Sequence, residues 1–124
     1  MKKSIMEVGG HAPVLVFDDA DMEQAVATMV KAKFRNAGQV CISPTRFLVQ
    51  DAIFDAYLEK FVARTGKIRV ATVLRRGADM GPIANGRCIS VLRELIEDAA
   101  AKTAGSIAAT DISAMTVIFL SRPC

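Results

Sequence analysis

Short apolar runs alternate with longer amphipathic stretches, and this alternation constrains the fold more than any other feature of the chain. Val14-Leu15-Val16-Phe17 follows Pro13 directly, and Arg46-Phe47-Leu48-Val49 is a second run of the same kind. Runs that are apolar at successive positions read as strands buried on both faces, the pattern of parallel sheets. Between them, Met22, Ala25, Val26, Met29 and Val30 recur at helical spacing. Asp21 stands ahead of them as an N-cap, with Gln24 three residues on, as in a capping box. This helix is expected to fray at Asn36-Ala37-Gly38.

A second helix is expected from about Ala52 to Arg64. Ile53, Phe54, Tyr57, Leu58, Phe61 and Val62 form its apolar stripe, and Gly66 ends it. Pro82 and Asn85-Gly86 mark a loop. A third helix, from about Cys88 to Ala101, is expected to bury Ile89, Leu92, Leu95, Ile96 and Ala99. Ser4 to Val8 reads as a short strand ending at Gly9-Gly10, and Met115 to Leu120 as a last one. Strands alternating with helices define an α/β class with a largely parallel sheet and flanking helices.

The chain has 124 residues, room for one domain at most, with an apolar fraction of 52% and 23% charged residues. That is a globular composition and argues against disorder. The net charge of +3 is scattered along the sequence, with short pairs only at Lys2-Lys3 and Arg75-Arg76. Nucleic-acid binders cluster their positive charge on one face, so no nucleic acid is expected as a partner. Cys41, Cys88 and Cys124 are an odd number without CxxC spacing, and there is a single histidine, so neither a disulfide framework nor a metal site is expected. No signal peptide, membrane segment or membrane partner is expected, and no phosphate-cradling glycine motif is found. The cytoplasm, where thiols stay reduced, is the expected compartment.

Two residues carry possible chemistry. Cys41 lies in Asn36-Ala37-Gly38-Gln39-Val40-Cys41, between a helix and a strand, where substrate has access and backbone N–H groups are near. A deprotonated thiol is a strong nucleophile, and N–H groups beside it can stabilise an oxyanion. Cysteine is also among the residue types most often buried for packing, so composition alone leaves both readings open. Glu7 sits between Met6 and Val8. An apolar setting raises a carboxyl pKa toward the range useful to a general base, but an exposed strand residue or an ion pair fits as well.

Taken together, these segments resemble the aldehyde dehydrogenase family. Met6-Glu7-Val8-Gly9-Gly10-His11-Ala12-Pro13 is similar to the family's glutamate signature, and Phe34-Arg35-Asn36-Ala37-Gly38-Gln39-Val40-Cys41 to its cysteine signature. The two residues lie 34 positions apart, as in the family. Asp18 to Asp21 and Met80-Gly81-Pro82 are further landmarks. The resemblance runs from about Lys2 to Val70 and again from Asp79 to Ala99. His11, Pro44-Thr45-Arg46 and Asn85 draw it toward the succinate-semialdehyde dehydrogenases.

The resemblance implies a mechanism. Cys41 attacks an aldehyde to give a thiohemiacetal, hydride passes to NAD or NADP to leave a thioester, and Glu7 activates the water that releases a carboxylic acid. The Cys41 N–H supplies half of the oxyanion hole. Gly9 and Val8 would lie near the cofactor, and Gly10 would serve the same backbone geometry. His11 is expected to be structural, Cys88 a packing residue, Cys124 exposed, and Arg46 a member of an ion pair. The family's oxyanion asparagine, its nucleotide-binding domain and a ribose-binding glutamate have no counterpart here. The expectation is therefore a partial catalytic domain over 1–103, inactive alone. An alternative is a non-catalytic oligomerisation or interaction module, associating as a homo-oligomer or with a full-length subunit. A degraded gene product that does not fold stably is a third reading.

Two stretches depart from the family. Ala71-Thr72-Val73-Leu74-Arg75-Arg76 replaces a Gly-Asn-Gly-Leu-x-Pro-like loop, and the tail 104–124 loses the pattern. Both are expected to be out-of-frame readings. Codons for Ser113 to Phe119, read one base earlier, can give Ile-Gly-Asn-Asp-Gly-Tyr-Phe, and Ala71-Thr72-Val73 can arise from Gly-Asn-Gly by loss of one base. On that reading the last strand is accidental.

Overall fold

The computed structural model describes residues 3–6, 10, 12–72, 74–101, 106–110 and 116–119. Its elements are β1 (Ala12–Val16), α1 (Met22–Phe34), β2 (Pro44–Val49), α2 (Phe54–Thr65), α3 (Arg87–Ala101), β3 (Ser106–Thr110) and β4 (Thr116–Phe119).

β1 and β2 pair in parallel, with Val14 opposite Phe47, Leu15 opposite Leu48 and Val16 opposite Val49. Parallel neighbours need a crossover, and α1 provides it. The register slips between Ala12 and Pro13, which fits a residue that has no N–H to give the ladder. At the other end, Gln50 N–H donates to the Val16 carbonyl at 2.9 Å. The Gln50 side chain closes the pair reciprocally: Asp18 N–H donates to its Oε1 at 3.0 Å, and its Nε2 donates to Asp18 Oδ2 at 3.1 Å.

α1 starts where its cap dictates, with Asp21 Oδ1 accepting from Gln24 N–H at 3.0 Å. It buries Val26, Val30 and Phe34. α2 is entered through a 3-10 turn at Asp51–Ile53 and buries Phe54, Tyr57, Phe61 and Thr65 before Gly66. Phe47 of β2 meets Phe61 edge-on at 5.3 Å, and Tyr57 stacks on Phe61 at 5.7 Å. The core is therefore a seam between the two helices and one face of the strand pair, with Met80 reaching in from the loop. Lys60 and Glu23 form an ion pair across the two helices.

Three expectations need correction. The strands are covered on one face only: Val16 and Val49 are buried, but Leu15 is 59%, Phe17 57% and Leu48 48% exposed. Two strands flanked by helices on one side leave the opposite side chains in water. α3 exists, but its stripe is not buried; Ile89, Leu92, Ile96 and Ala99 are half-covered, and Leu95 lies 59% exposed. No described element covers it. Residues 3–6 form no strand, and the rest of the expected first strand lies outside the described residues.

The last expected strand is present as Thr116–Phe119, its ends at Met115 and Leu120 lying outside the described residues. It pairs antiparallel with β3, an element the sequence pattern does not announce. The described residues after Val70, at 71–72 and 74–76, form a loop. Ala71 N–H donates to the Met80 carbonyl at 3.1 Å, and Asp79 Oδ2 accepts from Arg69 N–H at 3.0 Å and from Arg69 Nε at 3.2 Å.

Candidate active site

The nucleophile segment begins where α1 ends. Three successive residues, Asn36, Ala37 and Gly38, take positive φ of 51°, 56° and 75°. Asparagine and glycine enter this left-handed region readily, while alanine there is strained by about 1–2 kcal/mol. Burial holds Ala37 in place, at 7% exposed. The helix direction is thus cancelled within one turn and the chain is redirected toward β2.

Hydrogen bonds fix that reversal. Asn36 Nδ2 donates to the Gln39 carbonyl at 3.2 Å, and Gln39 Nε2 donates to the Asn36 carbonyl at 2.9 Å. The Gln39 Oε1 accepts from Ala84 N–H at 3.2 Å, joining this segment to the loop before α3. Next comes a tight turn closed by Ser43 N–H donating to the Val40 carbonyl at 2.9 Å. Cys41 occupies the corner of that turn as an exposed free thiol. No acceptor among the described residues takes the N–H of Cys41 or of Ile42.

Below the turn, the Lys33 Nζ donates to the Pro44 carbonyl at 2.7 Å, and the Ser43 Oγ donates to the Lys33 carbonyl at 3.2 Å. These bonds fasten the end of α1 to the start of β2. Burial lowers the Lys33 pKa from its ordinary 10.5.

Glu7, Val8, Gly9 and His11 lie outside the described residues, as does Cys124, so the expected pairing of Glu7 with Cys41 falls outside them too. At Gly10 a Cβ would meet nothing within 4 Å and φ is not positive, so the backbone does not demand glycine there. Cys88 is exposed, not packed as expected. Arg46 is exposed on the open sheet face, and among the described residues it joins neither the Lys60–Glu23 nor the Arg69–Asp79 ion pair. The roles of Asn36 and Gln39 were not derivable from local pattern, although Asn and Gly at 36 and 38 signal left-handed backbone.

A groove of about 910 Å³ runs between α1 and α2 over Val30, Phe34 and Ile68, and Cys41 does not line it. The start of α1 does not fit the pyrophosphate of a dinucleotide. The N-terminus of α1, next to the strand end, is already capped by the Asp21 carboxylate and follows Asp18 and Asp19, an arrangement that repels a second anion. Among the described residues there is no cluster of three or more metal-ligating side chains.

A parallel strand pair joined through a helix, with an exposed thiol in the turn after that helix, is a piece of α/β architecture. Residues 1–114 match the aldehyde dehydrogenase family. The chain is 41% identical over 104 residues to a glutarate-semialdehyde dehydrogenase of Pseudomonas putida, an alignment covering 84% of this chain and 22% of that protein. Among solved structures, succinate-semialdehyde dehydrogenase from Burkholderia pseudomallei superposes with a TM-score of 0.77 at 38% identity, over 82% of this chain and 21% of that one. Betaine aldehyde dehydrogenase from Staphylococcus aureus, solved in complex with NAD+, gives 0.78 at 31% identity, over 82% and 20%. The chain belongs to the aldehyde dehydrogenase family, and it spans about a fifth of the length of the relatives it matches.

Proposed function

We propose that this chain carries the thiol and the general base of an NAD(P)-dependent aldehyde dehydrogenase acting on semialdehydes of the succinate type, and that it is inactive alone. The observation that carries the reading is Cys41 itself: an exposed thiol at a turn corner, with its own N–H free of any acceptor among the described residues. The thiolate adds to an aldehyde carbon, and the Cys41 N–H faces the negative charge that develops on oxygen. At the thioester stage Glu7 takes a proton from water, the hydroxide adds to the acyl carbon, and the thiolate leaves as the carboxylic acid departs. Hydride acceptance between these stages is the chemistry that NAD or NADP would supply when bound. The start of α1 does not fit its pyrophosphate, and Val8 and Gly9 are assigned to it by resemblance alone.

The catalytic portion is assigned to residues 1–103, with 71–76 and 104–124 as out-of-frame readings; resequencing the genomic DNA through the locus decides that point. The cytoplasm is the proposed compartment, and no helix among the described residues is long and apolar enough to cross a membrane.

The test is acylation by p-nitrophenyl acetate, followed by release of nitrophenolate and then of acetate. Cys41 is expected to acylate faster than a free thiol, Cys41→Ala to leave no more than the free-thiol rate of exposed Cys88, and Glu7→Gln to slow acetate release with acylation intact. Steady oxidation of succinate semialdehyde by the chain alone is expected to be at background. A Cys41 no more reactive than a free cysteine overturns the reading.

A further inference from the structure

We infer that Gln39 is a positioning residue for Cys41, holding the nucleophile turn against the loop at Ala84. The inference rests on the reading of Cys41 as the nucleophile. Gln39 lies two residues before the thiol and uses both ends of its amide. Its Nε2 donates to the Asn36 carbonyl at 2.9 Å, inside the left-handed run, and its Oε1 accepts from Ala84 N–H at 3.2 Å, from a segment 45 residues away. Asn36 Nδ2 returns a bond to the Gln39 carbonyl at 3.2 Å.

The need for such a tie follows from the backbone. Consecutive left-handed residues are poorly populated in a free chain, so the reversal after α1 persists only where outside contacts determine it. Burial of Ala37 fixes its middle. The side nearest the thiol has Gln39. Ala84 also follows Met80-Gly81-Pro82, the later landmark of the same family, so one side chain couples two distant motifs. Losing the Oε1 contact frees the turn to rotate, and the direction of the Cys41 N–H relative to its own sulfur is then no longer fixed. Attack on a carbonyl needs that relation; simple alkylation of the thiolate does not.

The experiment uses the 124-residue chain with Cys88→Ser and Cys124→Ser, leaving Cys41 as the only thiol. Two rates are measured: acetyl transfer from p-nitrophenyl acetate, in which the S–acetyl bond forms as the ester C–O bond breaks and nitrophenolate leaves, and alkylation by iodoacetamide. Gln39→Ala is expected to lower the ratio of the first to the second by about tenfold or more, with alkylation unchanged. Hydrogen exchange at the Ala84 amide is expected to lose its protection in the same variant. Gln39→Glu keeps the acceptor oxygen and is expected to retain protection at Ala84, which guards against a variant that merely fails to fold. An unchanged ratio in Gln39→Ala, or unchanged exchange at Ala84, overturns the inference. A parent chain whose ratio equals that of a short cysteine peptide overturns the reading of Cys41 and removes the positioning role with it, while Ala84 exchange still reports whether the tie exists.

Discussion

The α1–α2 seam and α3 are built from similar amphipathic sequence, yet only one of them is a core. Val26, Val30, Tyr57 and Phe61 are between 1% and 5% exposed, whereas Val91 and Leu95 on α3 are more than half exposed. Periodicity reports that a face is apolar; it does not report whether anything lies against that face. α1 and α2 meet each other and the strand pair. α3 carries an equally good stripe with no described element to cover it.

The sharpest way to break this comparison is to truncate one residue on each side. Phe61→Ala is expected to cost about 3–5 kcal/mol, or to prevent folding, because it removes a ring packed on Phe47 and Tyr57. Leu95→Ala is expected to change urea stability by no more than about 0.5 kcal/mol. Equal losses would mean that α3 is packed in solution.

Titration sharpens the same contrast, since the two groups shifted by burial, Tyr57 and Lys33, lie on α2 and α1. The Tyr57 hydroxyl finds no hydrogen-bond partner among the described residues, and burial raises its pKa from 10.0 to about 12. Between those values the folded chain keeps a proton that the unfolded chain loses, so stability is full below pH 10 and is lost as the pH rises to about 12. Lys33 runs the other way. Its lowered pKa means that the folded state binds its proton less well, so stability rises as pH climbs toward 10.5. Denaturation across alkaline pH should therefore show a maximum. Tyr57→Phe should remove the falling limb and add about 1 kcal/mol near neutrality by deleting an unsatisfied buried hydroxyl, whereas Lys33→Met should flatten the rising limb. A smaller effect is expected at the helix start: Asp21→Ala should cost about 1 kcal/mol, seen as reduced helicity and a lower urea midpoint.

Much of the fold was legible because its signals are local. Asp21 with Gln24, the stripe from Phe54 to Val62, and Gly66 each act within a few residues. The aldehyde dehydrogenase signatures were legible for the same reason, as contiguous runs. What sequence reading missed depends on distance or on neighbours. The Gln39 tie to Ala84 spans 45 residues. The open faces at Leu15, Phe17 and Leu48 look like buried strand residues because, in a parallel sheet, each would have cover on both sides. Cys41 was placed correctly between helix and strand, but the partners expected for it, Glu7, Val8 and Gly9, lie outside the described residues.

The two-stranded parallel pair has a consequence for how such a chain behaves as a population of molecules. Among the described residues each strand has one neighbour within that pair, and the apolar residues Leu15 and Leu48 stand exposed on it. An edge of that kind is a template for another chain. Protein concentration therefore becomes a variable of state alongside temperature and pH: dilution should favour separate chains, and crowding at high expression should drive them toward insoluble aggregates.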